Sequence, residues 1–245
     1  MRDNIPTTAQ PLAPTGLRPV RVDLTDQAYA ALLSQLREGA LRSGMFLSMP
    51  MLVTQLGFPL AAVREAVKRA EGSGLLRVLP KRGVTVMTAD PDITRDCMEL
   101  RAMFDIQGAR RLLLRGADLP LAALRAAHEQ ILDDARGAVT ADMQRRAIRT
   151  DISLHDTLSS GLDGPIMARL YAENRDRIAV IQNQRPFLAD RIIPAMTEHL
   201  AILSALEARD VTKVEHAVWD HLRNTLRWWG ITADAGADFT SRPGA

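Results

Sequence analysis

The carboxyl-terminal two thirds of the chain is an almost unbroken series of amphipathic helical segments. Apolar residues recur there at spacings of three and four, the period of a helix with one buried face. The breaks between segments are short, and no convincing strand pattern interrupts them. The segments run from Ile93 to Gly108 and on towards Leu114, Leu119 to Ala135, Ala141 to Ser159, Ile166 to Gln184, Ile193 to Ala208 and Val211 to Trp229. This succession predicts an antiparallel, all-helical bundle.

The amino-terminal third has a different pattern, with shorter elements. It predicts three helices and then two strands, at about Thr25 to Arg37, Met49 to Leu56, Leu60 to Ser73, Leu75 to Leu79 and Val84 to Met87. The turn between the strands contains Lys81 and Arg82, so the hairpin has a basic tip. Three helices and a basic hairpin predict a winged helix-turn-helix, whose second helix of the turn enters the DNA major groove.

The length of 245 residues accommodates both units. The predicted domains are a flexible leader (1–20), a winged helix-turn-helix (21–89), a helical metal- and effector-binding domain (90–231) and a flexible tail (232–245). The fold class is therefore mainly α.

Composition excludes several classes of protein. The chain has one cysteine, Cys97, which excludes an intramolecular disulfide and a cysteine-based zinc site and favours a reducing, cytoplasmic location. No apolar run approaches the roughly 20 residues that span a bilayer, so no membrane partner is expected.

Several short motifs occur at characteristic spacings in the amino-terminal unit, from about Asp23 to Thr88, which we call the head. They are Val63-Arg64-Glu65-Ala66-Val67, Glu71, Gly74-Leu75-Leu76 and Arg82-Gly83-Val84-Thr85-Val86. Together they resemble the GntR family of bacterial regulators, which implies a double-stranded DNA operator as partner. The candidate DNA contacts are Arg64, Lys68, Lys81 and Arg82.

One departure from the family pattern affects these contacts. Pro59, Leu60 and Ala61 stand where the family usually has a small polar and a basic residue that contact DNA. Two structural roles that involve no DNA contact also stay open: Arg64 could form a salt bridge, and Lys68 could lie on a solvated helix face. A sensor or scaffold that has lost DNA binding is therefore an alternative function.

Four ionisable residues of the helical segments lie on apolar faces. Asp151 and His155 are spaced i and i+4, and His199 and His221 lie on the apolar stripes of two later helices. Several ionisable groups buried together need mutual compensation, which a divalent cation provides. A single inward histidine is more often a hydrogen-bonded core residue, however, and His128 also falls near an apolar face.

The segment from about Ile93 to Trp229 resembles the FCD ligand-binding domain of the FadR subgroup of GntR regulators. The matching motifs are Glu99-Leu100-Arg101, Asp151-x-x-x-His155, Glu198-His199, Ala208-Arg209-Asp210 and His221-Leu222. The resemblance implies that Asp151, His155, His199 and His221 ligate a divalent ion of the zinc, nickel or manganese class, in a homodimer.

Arg101 is the candidate anchor of a small organic acid effector, because its guanidinium can clamp a carboxylate with two hydrogen bonds. A structural salt bridge to Asp105 or to residues near Glu99 is the alternative role. The predicted function is a non-enzymatic, DNA-binding transcriptional regulator whose helical domain binds the metal and the effector. A metal-dependent hydrolase is the other alternative, although no separate general base is evident beside the ligands.

Overall fold

The computed structural model of the chain describes residues 23–184 and 189–231. The predicted leader and tail lie outside these residues. Among the residues described, no helix combines the length and the apolar character that crossing a membrane requires.

The head consists of three helices and a three-stranded antiparallel sheet. Its elements are α1 (Leu24–Arg37), β1 (Phe46–Leu47), α2 (Met49–Leu56), α3 (Leu60–Gly72), β2 (Leu76–Leu79) and β3 (Gly83–Val86). The strand order is β1-β3-β2, with Phe46 opposite Thr85 and Leu76 opposite Val86. The predicted winged helix-turn-helix is confirmed; β1 was not predicted, because two residues are too few to show an alternating pattern.

Local capping explains how α2 and α3 form separate helices. The Ser48 side chain accepts a hydrogen bond from the Met51 N–H at the start of α2, and Gly57 ends that helix in the left-handed conformation, with φ of 73°. Pro59 precedes α3 without a side-chain capping bond. A rigid, apolar residue therefore stands at the position just before the second helix of the turn.

The remaining helices form the bundle. They are α4 (Pro91–Leu114), α5 (Leu121–Asp134), α6 (Ala141–Ser159), α7 (Pro165–Gln184), α8 (Ala189–Glu207) and α9 (Val211–Trp228). Asp90 caps α4, since its side chain accepts a hydrogen bond from the Ile93 N–H at 2.9 Å. The predicted helical bundle is confirmed.

The predicted start of α8 at Ile193 was wrong. The helix already includes Ala189, which places Pro194 inside it. Ile192 is fully buried, and the Arg191 guanidinium donates to the Thr225 hydroxyl of α9 at 2.9 Å. These tertiary contacts hold the first turn in place although the proline cannot donate its backbone hydrogen bond.

Helices α4 and α6 approach closely enough to require glycine. A Cβ atom added at Gly108 would lie 2.2 Å from the Leu158 carbonyl oxygen, and one at Gly161 would lie 2.1 Å from the Gly108 carbonyl oxygen. One turn before Gly108, Asp105 accepts a hydrogen bond from the Ser159 hydroxyl at 3.2 Å. The close approach of α4 and α6 at Gly108 therefore brings the buried carboxylate of Asp105 into contact with α6.

We expect Gly108→Ala to lower the free energy of unfolding by about 1–3 kcal/mol, because the methyl group forces two backbones apart. Gly72→Ala is the matched control, since a Cβ there meets nothing within 4 Å. That exchange should be neutral or stabilise by up to about 1 kcal/mol. Urea unfolding with a chelator present measures both changes without a contribution from metal. Equal stability of the two variants would contradict the close crossing.

Candidate metal centre, cavity and DNA interface

Four buried side chains from three helices converge inside the bundle. Helix α6 supplies Asp151 and His155, α8 supplies His199 and α9 supplies His221, and one possible ligand atom from each lies within 4.8 Å of all the others. We call these four residues the ligand cluster. The structure thus brings together the four residues that the sequence predicts as metal ligands.

The distances inside the ligand cluster suit a single ion. His199 Nε2 lies 3.3 Å from His221 Nε2 and 3.4 Å from Asp151 Oδ1. His155 Nε2 lies 3.7 Å from the same carboxylate oxygen. When each ligand atom is about 2.1 Å from the metal ion, two neighbouring ligand atoms lie roughly 3.0 Å apart in octahedral geometry and roughly 3.4 Å apart in tetrahedral geometry. Small inward movements of these side chains are therefore enough to form the bonds.

Two further carboxylates orient the histidine rings. The Asp105 Oδ2 atom lies 2.6 Å from Nδ1 of His155, and the Glu198 Oε2 atom lies 2.8 Å from Nδ1 of His221. Each Nδ1–H donates to its carboxylate, which directs the opposite nitrogen, Nε2, into the ligand cluster. Such carboxylate–histidine pairs are the usual outer support of metal-bound histidine.

The sequence did not predict a role for Asp105 or Glu198 at the centre. Asp105 follows Arg101 by one helical turn, and this i, i+4 spacing was a usable signal. Glu198 is adjacent to His199 in the chain and lies outside its apolar stripe, so periodicity gave no signal for it.

Burial sets the protonation of the rings. It holds the pKa of His199 well below the ordinary value, and it lowers the pKa of His221 to about 4 against the opposing effect of Glu198. Burial and the charge of Arg101 both lower the pKa of His155, but Asp105 and Asp151 together outweigh them and raise it. Neutral imidazole is the form that binds metal, so an incoming ion must displace any proton on Nε2 of His155.

The residues present fit a divalent ion. Three imidazole nitrogens and one carboxylate oxygen suit zinc, nickel or manganese. Among the described residues, neither His155 Nε2 nor His199 Nδ1 has a hydrogen-bond partner, although both atoms are buried. A cation held by Nε2 of His155 would compensate for the first of these unpaired groups.

A cavity of about 180 Å³ adjoins the ligand cluster. Arg101 lies between the two: its guanidinium is 3.6 Å from Asp151 Oδ2 and 3.3 Å from His221 Nε2. Arg101 thus pairs with Asp151. The sequence had left open a salt bridge to Asp105 or to residues near Glu99 instead. The other residues that line the cavity are Arg37, Ile148, Ile152, His155, Asp156, Tyr171, Arg175, Ile178, Ala179, Gln182 and Asn183.

One wall of the cavity belongs to the head. Arg37, the last residue of α1, lines the cavity and donates through Nε to Asp176 of α7 at 2.6 Å. The Asn183 side chain donates to the Leu36 and Arg37 carbonyl oxygens at 2.9 and 3.0 Å. Sequence analysis missed this contact, because it depends on how the two units pack and not on any local pattern.

The candidate DNA contacts lie together on the head. A groove between α3 and the β2–β3 hairpin is lined by Arg64, Lys68, Lys81 and Arg82. All four side chains are exposed. Leu60, one turn before Arg64 on the same helix face, is 43% exposed. The groove therefore carries four basic side chains and one acidic one, Glu71, and the amino-terminal end of α3 beside it is apolar.

Comparisons with known proteins identify the family. Residues 24–86 match the family described as bacterial regulatory proteins, gntR family, and residues 96–224, more than half of the chain, match the FCD domain. This chain belongs to the FCD-containing GntR regulators. These families are transcriptional regulators and not enzymes, so the hydrolase alternative is set aside.

Individual relatives agree with this assignment. An Agrobacterium vitis protein, described as an HTH-type transcriptional regulator in the TAR-I ttuE-ttuC' intergenic region, is 28% identical over 135 residues, covering 54% of this chain and 76% of that protein. The E. coli McbR/YncC structure has a TM-score of 0.69 at 20% identity, over 84% of this chain and 97% of its own. A GntR regulator of Rhodococcus sp. RHA1 has a TM-score of 0.65 at 20% identity, over 83% and 96% respectively. These structures show the shared fold.

We expect His199→Ala to weaken the binding of one zinc ion per chain by more than about 100-fold, since loss of an outer partner alone costs 10–100-fold. His216→Ala is the matched control, because that histidine of α9 is exposed. Competition with a coloured chelator measures both affinities. Retained zinc binding in the His199 variant, or an equal loss in the His216 variant, would show that the ion binds elsewhere.

Proposed function

We propose that this chain is a regulator of the FadR subgroup whose helical domain binds a divalent metal ion and a small carboxylate effector that modulates operator binding. The observation that carries the proposal is the convergence of the ligand cluster beside an arginine-lined cavity, in a chain with a GntR head. A bacterial DNA-binding regulator works in the cytoplasm, which is the location we propose.

Asp151, His155, His199 and His221 would hold the ion. When bound, the ion supplies a positive charge and a Lewis-acidic position for an effector oxygen. Arg101 lies beside the same position and is 6% exposed. Its planar guanidinium can hold the effector carboxylate with two parallel hydrogen bonds.

The rest of the cavity limits the size and character of the effector. Its volume of about 180 Å³ is below the roughly 300–1,000 Å³ of pockets for drug-sized ligands. Ile148, Ile152 and Ile178 add apolar surface to the lining. A short organic acid with an apolar side therefore fits better than a larger or highly hydroxylated ligand.

The effector can act on DNA binding through the end of α1. Asn183 and Arg37 both line the cavity, and both take part in the hydrogen bonds that attach α1 to α7. A ligand that recruits either side chain changes how firmly the head is held. An effector shifts the equilibrium between two arrangements only through such differential contacts.

The head would bind a palindromic operator as part of a homodimer. Arg64, Lys68, Lys81 and Arg82 would contact phosphates or base edges, and the exposed start of α3 would enter the major groove. Leu60 and Ala61 can offer only apolar contact there, for which the thymine methyl group is the fitting base feature. The operator should therefore differ from that of family members with polar residues at these positions.

We expect Arg64→Ala to weaken binding to a DNA segment selected from a random library by the full-length protein. Each lost phosphate contact should reduce the slope of log affinity against log salt by about 1. Arg136→Ala removes the same charge from an exposed site of the helical domain, where the side chain is 69% exposed, and should leave the slope unchanged.

Fluorescence anisotropy over a salt series distinguishes the outcomes. Equal slopes for the two variants would remove Arg64 from the interface. Failure of the wild-type protein to enrich any sequence would favour the alternative of a sensor that has lost DNA binding.

For the effector, we expect at least one monocarboxylic or dicarboxylic acid of two to six carbons to raise the melting temperature of the zinc-loaded protein and to change its DNA affinity. Arg101→Gln should abolish that response, because the carboxylate clamp is lost. Arg115→Gln is the control, since Arg115 pairs with Asp163 outside the cavity. A full response in the Arg101 variant, at equal zinc content, would rule out the proposed anchor.

A further inference from the structure

One buried histidine near the ligand cluster has no role in the site as described so far. His128 of α5 is fully buried and lies outside the ligand cluster. Its Nδ1 atom lies 2.6 Å from the Leu124 carbonyl oxygen, so Nδ1–H is the donor and Nε2 carries a lone pair. That Nε2 atom is buried without a hydrogen-bond partner among the residues that the structure describes.

The neighbouring ring, that of His199, also has a buried nitrogen without a hydrogen-bond partner among the described residues. The ring centroids of His128 and His199 are 5.2 Å apart, with an interplanar angle of 77°. His199 directs Nε2 into the ligand cluster, and its Nδ1 is likewise buried without a partner in the described part of the chain. A metal ion on Nε2 would fix the proton of His199 on Nδ1. With an ion bound, His199 would carry a donor that has no acceptor among the described residues, next to a ring whose Nε2 has a free lone pair. In this structure the two atoms do not form a hydrogen bond, so a small rotation of either ring is needed to make it.

We propose that His128 is a positioning residue of the metal centre, whose Nε2 accepts the Nδ1–H of metal-bound His199. The inference rests on the proposed metal site and adds a third outer partner to the two carboxylates, Asp105 and Glu198. His128 suits this role because its Nδ1–H already donates to the Leu124 carbonyl oxygen, so the lone pair of Nε2 is what the ring offers to a neighbour.

A pair of variants of similar size separates this role from simple packing. His128→Gln keeps a hydrogen-bond acceptor, and His128→Met fills the same space without a comparable one. We expect His128→Met to weaken zinc binding 10–100-fold, the usual effect of losing an outer partner, and His128→Gln to restore most of the affinity. Chelator competition measures the affinities, and melting of the metal-free proteins reports on packing alone.

Two further readouts do not depend on stability. The absorption spectrum of the cobalt-loaded protein should change in His128→Met and not in His128→Gln, because only the first frees the His199 ring to reorient. In wild-type protein with ¹⁵N-labelled histidine and bound zinc, His199 should show a proton on Nδ1 that exchanges slowly with solvent. Zinc affinity in His128→Met equal to wild type, or equal losses in both variants, would overturn the inference while leaving the metal site intact. Absence of zinc binding by the wild-type protein would overturn both.

Discussion

The bundle depends on how it accommodates the buried carboxylate of Asp151. An isolated charge in a protein interior costs several kcal/mol, so the side chains around it must compensate. Arg101 lies 3.6 Å from Asp151 Oδ2, and Gln182 donates to the same oxygen at 3.1 Å. Although burial opposes ionisation, the surrounding His155, Arg101 and His199 keep the pKa of Asp151 well below its ordinary value. The carboxylate stays charged and available to a cation, while its partners come from four different helices and fix how those helices pack.

Helix α4 contributes side chains to both the ligand cluster and the cavity, because two of its residues are spaced by one helical turn. Arg101 and Asp105 are one helical turn apart and point to the same side of α4. Arg101 faces the cavity and Asp151, whereas Asp105 supports His155 from the other side of the ring. This division of roles requires α4 to lie against α6, and the glycine at position 108 is what permits that approach.

Helical periodicity was sufficient to predict the helical bundle and to place Asp151, His155, His199 and His221 on apolar helix faces. It placed His128 near an apolar face too, so the choice of the four predicted ligands depended on the resemblance to the FCD domain. His199 and His221 share helix faces with fully apolar stripes, and a polar residue on such a stripe is readily recognised. Support from side chains off the stripe, such as Glu198, could not be predicted, since adjacent residues of a helix point in different directions. Arg37 could not be placed either, because it reaches the cavity only through the packing of α1 on α7. Strand β1 escaped prediction because its two residues pair with β3 across a long stretch of sequence.

The same packing gives one amide group, that of Asn183, a place in the cavity wall and a direct contact with the head. The Asn183 Nδ2 atom donates to the last two carbonyls of α1, although the Leu36 oxygen also accepts the Gly39 N–H at 3.3 Å. Since Asn183 also lines the cavity, a ligand that takes over this donor would remove a direct bond between α7 and the end of α1. Binding free energies are reciprocal in such a linkage. Under the proposed function, an operator that holds the head in one orientation would therefore change the affinity for the ligand by the same factor by which the ligand changes the affinity for DNA.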